Sequence, residues 1–443
     1  MKRVLRSSVA VLAGAAMVAA GAALVPRALR SNPAPAVNLP IPATGGIVAG
    51  GSLDSTIASL QERLRETDDP RSLASLGVAY LQKARSSAGP TYYAKAESAL
   101  QRSLSIRAHD NFDAAIGMGL LSLGRHDFDD ALRWGLHARE INPFSAPALG
   151  VIGDALVELG RYEAATSTYL EMVELRPSLS SFARVSYTHE LRGDVRGAIA
   201  AMQTARAAAL PRSDDAAWAS HQIGDLYLLI GALERASGAY RAALWAVPAY
   251  APARVGMARI AAASGDLDRA LSLLARVTES YPLPSYLALY GEVLDAAGRK
   301  ADAQRQYELV EVQTRLYESN GVLPDVETYV YLADHDLLQR NDVADIQSLY
   351  GRRPSIRVAD ALGWALYSVG EAQRARRYAR AALRLGTRDP LYLFHAGMIA
   401  RKVGDRSSAR RNLSQALALN ETFSILHAET ARRALTSLRA SSR

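Results

Sequence analysis

The chain has 443 residues, with 52 Lys or Arg, 44 Asp or Glu and a net charge of +8. It has no cysteine, which excludes disulfides, a thiol nucleophile, cysteine-ligated zinc and a lipoprotein cysteine. A chain of this length is too long for one compact core, and no shift in composition divides it into two ordinary domains. A repeat array escapes this limit, because each repeat packs on its neighbours in sequence.

The positive charge is concentrated at the two ends of the chain. Residues 1–30 carry a net charge of +5, residues 31–351 carry −9 and residues 352–443 carry +12. This distribution is a basic C-terminal quarter on an acidic body and does not indicate a nucleic-acid-binding protein. We therefore expect no nucleic-acid partner.

The first 30 residues have the pattern of a signal peptide or a membrane anchor. Three basic residues precede the uncharged residues 9–25, and two follow them. As a helix this stretch would be about 25 Å long, against a hydrocarbon core of about 30 Å, so a cleaved signal and a retained anchor both stay open. A cytosolic tail is the third alternative. Because more positive charge precedes the stretch than follows it, we expect a body outside the cytoplasm, either membrane-anchored or secreted.

Residues 31–52 are rich in proline and glycine and predict a disordered linker. A helical pattern then begins near residue 53, where Ile57, Leu60 and Leu64 share one face.

From about residue 70 the sequence repeats roughly every 34 residues, the period of helix–turn–helix solenoids. The clearest copy consists of Gly224, Tyr227, Gly231, Ala236, Tyr240, Ala243 and Pro248. The same spacing pattern recurs in copies whose first glycines are Gly153, Gly291, Gly363 and Gly397. We expect the first glycine and the first alanine of each copy to lie where its two helices cross, because small residues let the helix axes approach. The second glycine should end the first helix, and the proline cannot continue the second one.

This spacing pattern resembles the tetratricopeptide repeat of bacterial proteins and covers roughly residues 71–420. The resemblance implies an all-α fold, a right-handed superhelical solenoid of about nine to ten helix–turn–helix repeats over residues 53–420. Residues 421–443 should form a C-terminal capping helix and tail, with Leu435 and Leu438 on the last repeat and Arg432 and Arg433 in water. The copy at residues 325–354 is degenerate, and we expect an irregular joint there.

The sequence contains no metalloprotease, hydrolase, P-loop or dinucleotide-binding motif. Asp334, His335 and Asp336 are the best metal-like cluster, but adjacent residues on a helix point in different directions. We therefore expect no catalytic residue, no cofactor and no metal, and the chain is not expected to be an enzyme.

The resemblance also implies that the first helix of each repeat lines the concave face of the superhelix. Outward positions on these helices predict a groove that binds a partner protein or peptide. They are Asp154, Glu158, Arg184, Tyr187, Glu190, His221, Gln222, Asp225, Arg259, Glu292 and Asp295. Further along, a more aromatic and basic surface is expected from Trp364, Tyr367, His395, Met398, Arg401 and Lys402. The Lys/Asn pattern by which some family members clamp a C-terminal carboxylate is not seen.

The favoured hypothesis is a non-catalytic interaction scaffold, membrane-tethered through residues 1–30 or exported, with its partner in the concave groove. The alternative is a cytoplasm-facing regulatory module whose basic C-terminal end binds an acidic partner or anionic lipid. The sequence leaves the partner and the oligomeric state open.

Overall fold

The computed structural model describes residues 53–440, and this part of the chain is helical, with no strand. The expected signal or anchor and the linker lie outside the described residues. None of the described helices is long and apolar enough to cross a membrane.

The described part contains 22 helices. The first eleven are α1 Leu53–Glu66, α2 Pro70–Ser87, α3 Thr91–Ile106, α4 Phe112–Gly124, α5 Phe128–Ile141, α6 Ala146–Glu158, α7 Tyr162–Leu175, α8 Leu179–Leu191, α9 Val195–Ala207, α10 Asp214–Leu229 and α11 Leu233–Ala246. The others are α12 Ala251–Ala263, α13 Leu267–Ser280, α14 Pro284–Ala296, α15 Lys300–Ser319, α16 Val326–Asp334, α17 Arg340–Arg352, α18 Ile356–Ser368, α19 Ala372–Ala382, α20 Pro390–Lys402, α21 Arg406–Leu419 and α22 Ala428–Ala440.

Helices α2 to α21 follow one another as ten successive helix pairs. Neighbouring pairs pack together, except that α14 and α15 make little contact with α16 and α17. Helix α1 precedes this array and α22 follows it. The predicted fold class, an all-α superhelical solenoid of about nine to ten repeats, is confirmed.

The turn between the two helices of a repeat follows from a recurrent Gly-Asp pair. Gly193, Gly265 and Gly404 have φ values of 86°, 82° and 83°, the left-handed region in which glycine has no steric penalty. The next residue caps the second helix, as when Asp266 Oδ1 accepts a hydrogen bond from the Arg269 N–H at 3.1 Å. The glycine therefore reverses the chain and the aspartate starts the next helix.

In three copies the first glycine gives space to the tyrosine ring sixteen residues later, at Gly153, Gly224 and Gly291. A Cβ on Gly224 would lie 2.4 Å from Tyr240 Cε1, and one on Gly256 would lie 2.4 Å from Tyr240 Cζ. Tyr240 is fully buried, so its ring lies between glycines of two successive repeats. The predicted close approach at the first glycine is confirmed, with the ring, not the alanine, as the atom group opposite it.

The degenerate copy forms an irregular joint, as expected. Helix α16 has only 9 residues and makes little contact with α17, its partner in sequence. Both helices pack instead on α18, where Val326, Tyr329, Val343 and Ile346 join the core. Helix α22 follows the last hairpin, with Leu435 and Leu438 buried and Arg432 and Arg433 exposed.

The superhelix is wound so tightly that its second turn rests on its first. The Tyr281 hydroxyl donates a hydrogen bond to Arg85 O, 196 residues away. Thr387 Oγ1 donates to Leu191 O across 196 residues, and Asn420 Nδ2 to Leu228 O across 192. The expectation that each repeat packs only on its neighbours in sequence is therefore wrong, because the early repeats also contact segments 192 to 196 residues later in the chain.

Candidate binding surface inside the superhelix

The contact between turns closes much of the concave face on which the sequence placed its groove. Arg184 is 1% exposed, Tyr187 8%, Glu190 5% and Gln222 5%. The expectation that these four residues face solvent is wrong. The first helices α6 and α8 bury their inner faces against α18 and the loop that leads to α20. The side chains on these faces therefore contribute to internal packing.

Asp154 links three helices. Its carboxylate accepts two hydrogen bonds from the Arg184 guanidinium, from Nε at 2.8 Å and from Nη2 at 2.6 Å. The Tyr169 hydroxyl donates to the same carboxylate at 2.9 Å. Burial raises the pKa of Tyr169 well above its ordinary value, and the charge of Asp154 raises it further. This bidentate pair satisfies a fully buried guanidinium, and it positions α6, α7 and α8.

Glu158 belongs to a network of charged groups that joins the two turns. Arg357 Nη1 donates to Glu158 Oε1 at 2.9 Å across 199 residues, and the same guanidinium contacts Glu327. The Ile356 N–H donates to the Tyr162 hydroxyl at 2.8 Å beside this pair. The Tyr187 ring packs in the same cluster, with Ile152, Leu156 and Ile356. Glu158 and Tyr187 therefore belong to the buried contact between the two superhelical turns.

Glu190 lies in an acidic interior. Burial raises its pKa well above the ordinary 4.5, and the charges of Asp225 and Asp389 raise it further. Burial also raises the pKa of Asp389 to about 7, although that carboxylate accepts hydrogen bonds from the N–H groups of Leu391 and Tyr392. Three acidic groups from α8, α10 and the start of α20 thus meet in a region with little water.

The part of the predicted groove that stays open lies on α10, α12 and α14. Arg259 and Asp295 are exposed, and His221, Asp225 and Glu292 are partly buried. The His221 ring contacts Tyr240 at a tilt and Tyr250 edge-on, with ring centroids 5.7 and 6.0 Å apart, and burial lowers the pKa of His221. We call these five residues, with the half-buried Tyr250 and Tyr286, the α10–α14 surface.

All three of its acidic residues also have partners inside the fold, and Glu292 Oε1 lies 3.7 Å from His335 Nε2. The Tyr240 hydroxyl donates to Asp225 Oδ1 at 2.6 Å, and the Tyr307 hydroxyl donates to Asp295 Oδ2 at 3.3 Å. The same tyrosine–aspartate pair occurs between Tyr169 and Asp154. The sequence contained this signal, because a tyrosine and an acidic residue recur 12 or 15 residues apart, but it was not recognised.

The expected aromatic and basic surface further along is mostly interior. Trp364, His395 and Met398 are buried, whereas Arg401 and Lys402 are exposed. The expectation that Trp364, His395 and Met398 face a ligand from solvent is therefore wrong. A shallow cavity of about 270 Å³ lies on another part of the molecule, away from every predicted groove residue. Its lining includes Phe112, Phe144 and Leu175, which no sequence motif marked.

Two stretches of the chain match family models described as the tetratricopeptide repeat. Residues 146–179 cover the hairpin of α6 and α7, and residues 231–293 run from the end of α10 into α14. In these two stretches the chain matches the tetratricopeptide repeat. No curated protein sequence gave a significant match.

Among solved structures, the human IFIT1 dimer with PPP-AAAA is similar, with a TM-score of 0.48 and 16% identity over 75% of this chain and 77% of that one. A tetratricopeptide repeat protein from Parabacteroides merdae ATCC 43184 has a TM-score of 0.39 and 14% identity over 55% of this chain and 98% of that one. Yeast Tom70 has a TM-score of 0.38 and 12% identity over 88% and 93%. Similarity at this level carries no argument about ligands or partners.

Proposed function

We propose that this protein is a non-catalytic scaffold that binds a partner protein through the α10–α14 surface. The observation that supports this surface is the exposure of Arg259 and Asp295 on the first helices of neighbouring repeats. The predicted groove residues of α8, by contrast, are buried inside the protein. Tyr250 and Tyr286 lie beside them, half-buried, and tyrosine and arginine are frequent interface hot spots.

The partner segment should carry positive charge. Asp225, Glu292 and Asp295 supply three acidic groups on this surface, and Arg259 supplies one basic group. A basic or neutral peptide therefore meets a complementary potential, whereas an acidic peptide is repelled.

A pull-down with matched variants tests the location. Arg259→Ala combined with Asp295→Ala should abolish recovery of the partner and leave the melting temperature nearly unchanged, because exposed substitutions usually alter stability by no more than about 0.5 kcal/mol. The control combines Glu174→Ala and Arg241→Ala, two exposed residues on second helices, and should keep the partner. Loss of the partner in the control alone would place binding on the outer face and reject the α10–α14 surface.

We further propose that the body lies outside the cytoplasm, tethered by residues 1–30 or released after their cleavage. The charge pattern of those residues supports this topology. A reporter that is active only outside the cytoplasm, fused after Arg443, should be active. An inactive reporter would favour the cytoplasmic module, for which the basic residues of α19 and α21 offer a contact to acidic partners.

A further inference from the structure

Three side chains from separate parts of the chain converge near the C-terminal end of the array. They are Asp334 at the end of α16, His395 in the middle of α20 and His427 just before α22. One potential ligand atom from each lies within 4.8 Å of the others. His427 Nε2 and Asp334 Oδ1 are 2.9 Å apart.

His395 is oriented as a metal ligand would be. Its ring is fully buried, and its Nδ1 lies 2.9 Å from Asp360 Oδ2, so the carboxylate accepts the Nδ1 proton. The lone pair of the neutral ring is then on Nε2, which is buried and has no hydrogen-bond partner. A carboxylate behind a histidine is the usual support of a metal-bound imidazole, because it fixes both the tautomer and the ring direction.

The surroundings hold both rings in place. Trp364 stacks on His395 with ring centroids 4.2 Å apart, and Phe394 stacks on His427 at 4.7 Å. The Trp364 indole donates a hydrogen bond to Asp334 Oδ1 at 2.6 Å, which leaves the other carboxylate oxygen for a ligand. The side chains of Asp334 and His427 are 11% and 12% exposed, so an ion can enter from their side.

We propose that Asp334, His395 and His427 form a binding site for a divalent transition-metal ion of the zinc type. Two imidazoles and one carboxylate suit zinc or cobalt, whereas calcium and magnesium require mostly oxygen ligands. Tetrahedral zinc ligands lie about 3.4 Å from one another, so small side-chain shifts close the site. The ion displaces the proton that His427 Nε2 shares with Asp334, and water completes the fourth position.

The expectation of no metal rested on the adjacent residues Asp334, His335 and Asp336, whose side chains point in different directions. Asp334 turns toward His427, whereas His335 turns away to Glu292 and packs at a tilt against Tyr307 and Tyr331, with ring centroids 4.6 Å apart. The ligands come instead from residues 61 and 93 positions beyond Asp334 in the chain. An ion at this site would join the short helix α16 to the segment before α22.

The test is a titration of the full-length chain, prepared without a histidine tag and dialysed against a chelator. Co²⁺ alone should bind at one equivalent with visible absorption of a low-coordinate site, and Zn²⁺ should displace it. His427→Gln and Asp334→Asn should each lower the affinity by more than about 100-fold, and Asp360→Asn by about 10- to 100-fold. The matched control His335→Gln should leave the affinity unchanged.

Hydrogen exchange gives a second readout that does not depend on absorption. Zn²⁺ should slow exchange in α16 and in residues 420–427 of the wild-type chain, and should have no such effect in His427→Gln. Binding of less than one Co²⁺ per wild-type chain would overturn the proposal, and so would equal affinity in wild type, His427→Gln and Asp334→Asn. The cluster would then be an ion-pair network that connects α16 with the C-terminal segment.

Discussion

Individual charged side chains on the inner helices have different roles, although the repeat pattern gives them equivalent positions. Arg184 is fully buried in a bidentate pair with Asp154, whereas Arg259 is exposed. Glu190 has no partner for its buried Oε1 atom, while Asp295 lies in water. Removing one member of a buried pair leaves an uncompensated charge and costs several kcal/mol. Only the exposed members are therefore suited to tests of binding.

Replacement of Glu190 by Gln should make stability less dependent on pH. Because burial raises the folded-state pKa of Glu190, its contribution to stability is fully present below about pH 4.5 and is lost as the pH rises toward the folded value. The groups that face it, Asp225 and Asp389, are acidic as well. We expect Glu190→Gln to melt at a higher temperature than wild type at pH 8, with the difference shrinking toward pH 5.

Thermal melting between pH 5 and pH 8 is the measurement. Glu174→Gln, an exposed change on the neighbouring helix α7, should follow wild type throughout. An advantage of Glu190→Gln that is equally large at both ends of this range would mean that Glu190 does not carry the buried charge.

At the scale of helices, the hairpins depend on glycines that make room for rings, and not every helical glycine has this role. Gly224 lies against the buried Tyr240, whereas Gly238 in α11 has no atom within 4 Å of the position its Cβ would occupy. Both positions lie within helices of the same hairpin, so the two glycines differ mainly in their surroundings.

Alanine at these two positions should therefore have opposite effects. Gly224→Ala forces the Tyr240 ring to move and should lower the free energy of unfolding by about 1–3 kcal/mol. Gly238→Ala should raise it by up to about 1 kcal/mol, because alanine is the better helix former. Chemical denaturation measures both values. Equal stability of the two variants would show that the ring does not require the glycine.

At the scale of the whole molecule, the contact between superhelical turns determines the shape. Gly160 and Gly298 occupy equivalent positions in the loop between the two helices of their repeats, with φ values of 74° and 76°. A Cβ on Gly160 would lie 2.8 Å from Pro354 O in the next turn, whereas one on Gly298 would meet nothing within 4 Å. Both substitutions carry the same left-handed backbone penalty, so their difference isolates the contact between turns.

Gly160→Gln should therefore separate the turns, and Gly298→Gln should not. We expect the first variant to lose about 1–3 kcal/mol more than the second, because the side chain overpacks a closed interface. Small-angle X-ray scattering should give a larger radius of gyration for Gly160→Gln alone. If both variants scatter like wild type and unfold together, the turns do not support each other in solution.

The sequence by itself determined the repeat, because each of its signals acts within about 34 residues. The small residues at the helix crossing and the glycines that end the first helices recur at a fixed spacing, which predicts about nine to ten repeats and an irregular joint at residues 325–354. That the first helix of each repeat lies on the inner face is implied by the resemblance to the tetratricopeptide repeat.

Only the tertiary structure decided which inner positions meet water. Small rotations between neighbouring repeats add up over about six repeats, and no local pattern specifies their sum. That sum brings Arg357 onto Glu158 and buries Tyr187 and Glu190, so the predicted groove survives only on α10, α12 and α14. The convergence of Asp334, His395 and His427 is likewise a tertiary feature, because the three residues belong to separate elements of the last repeats and no local pattern places them together.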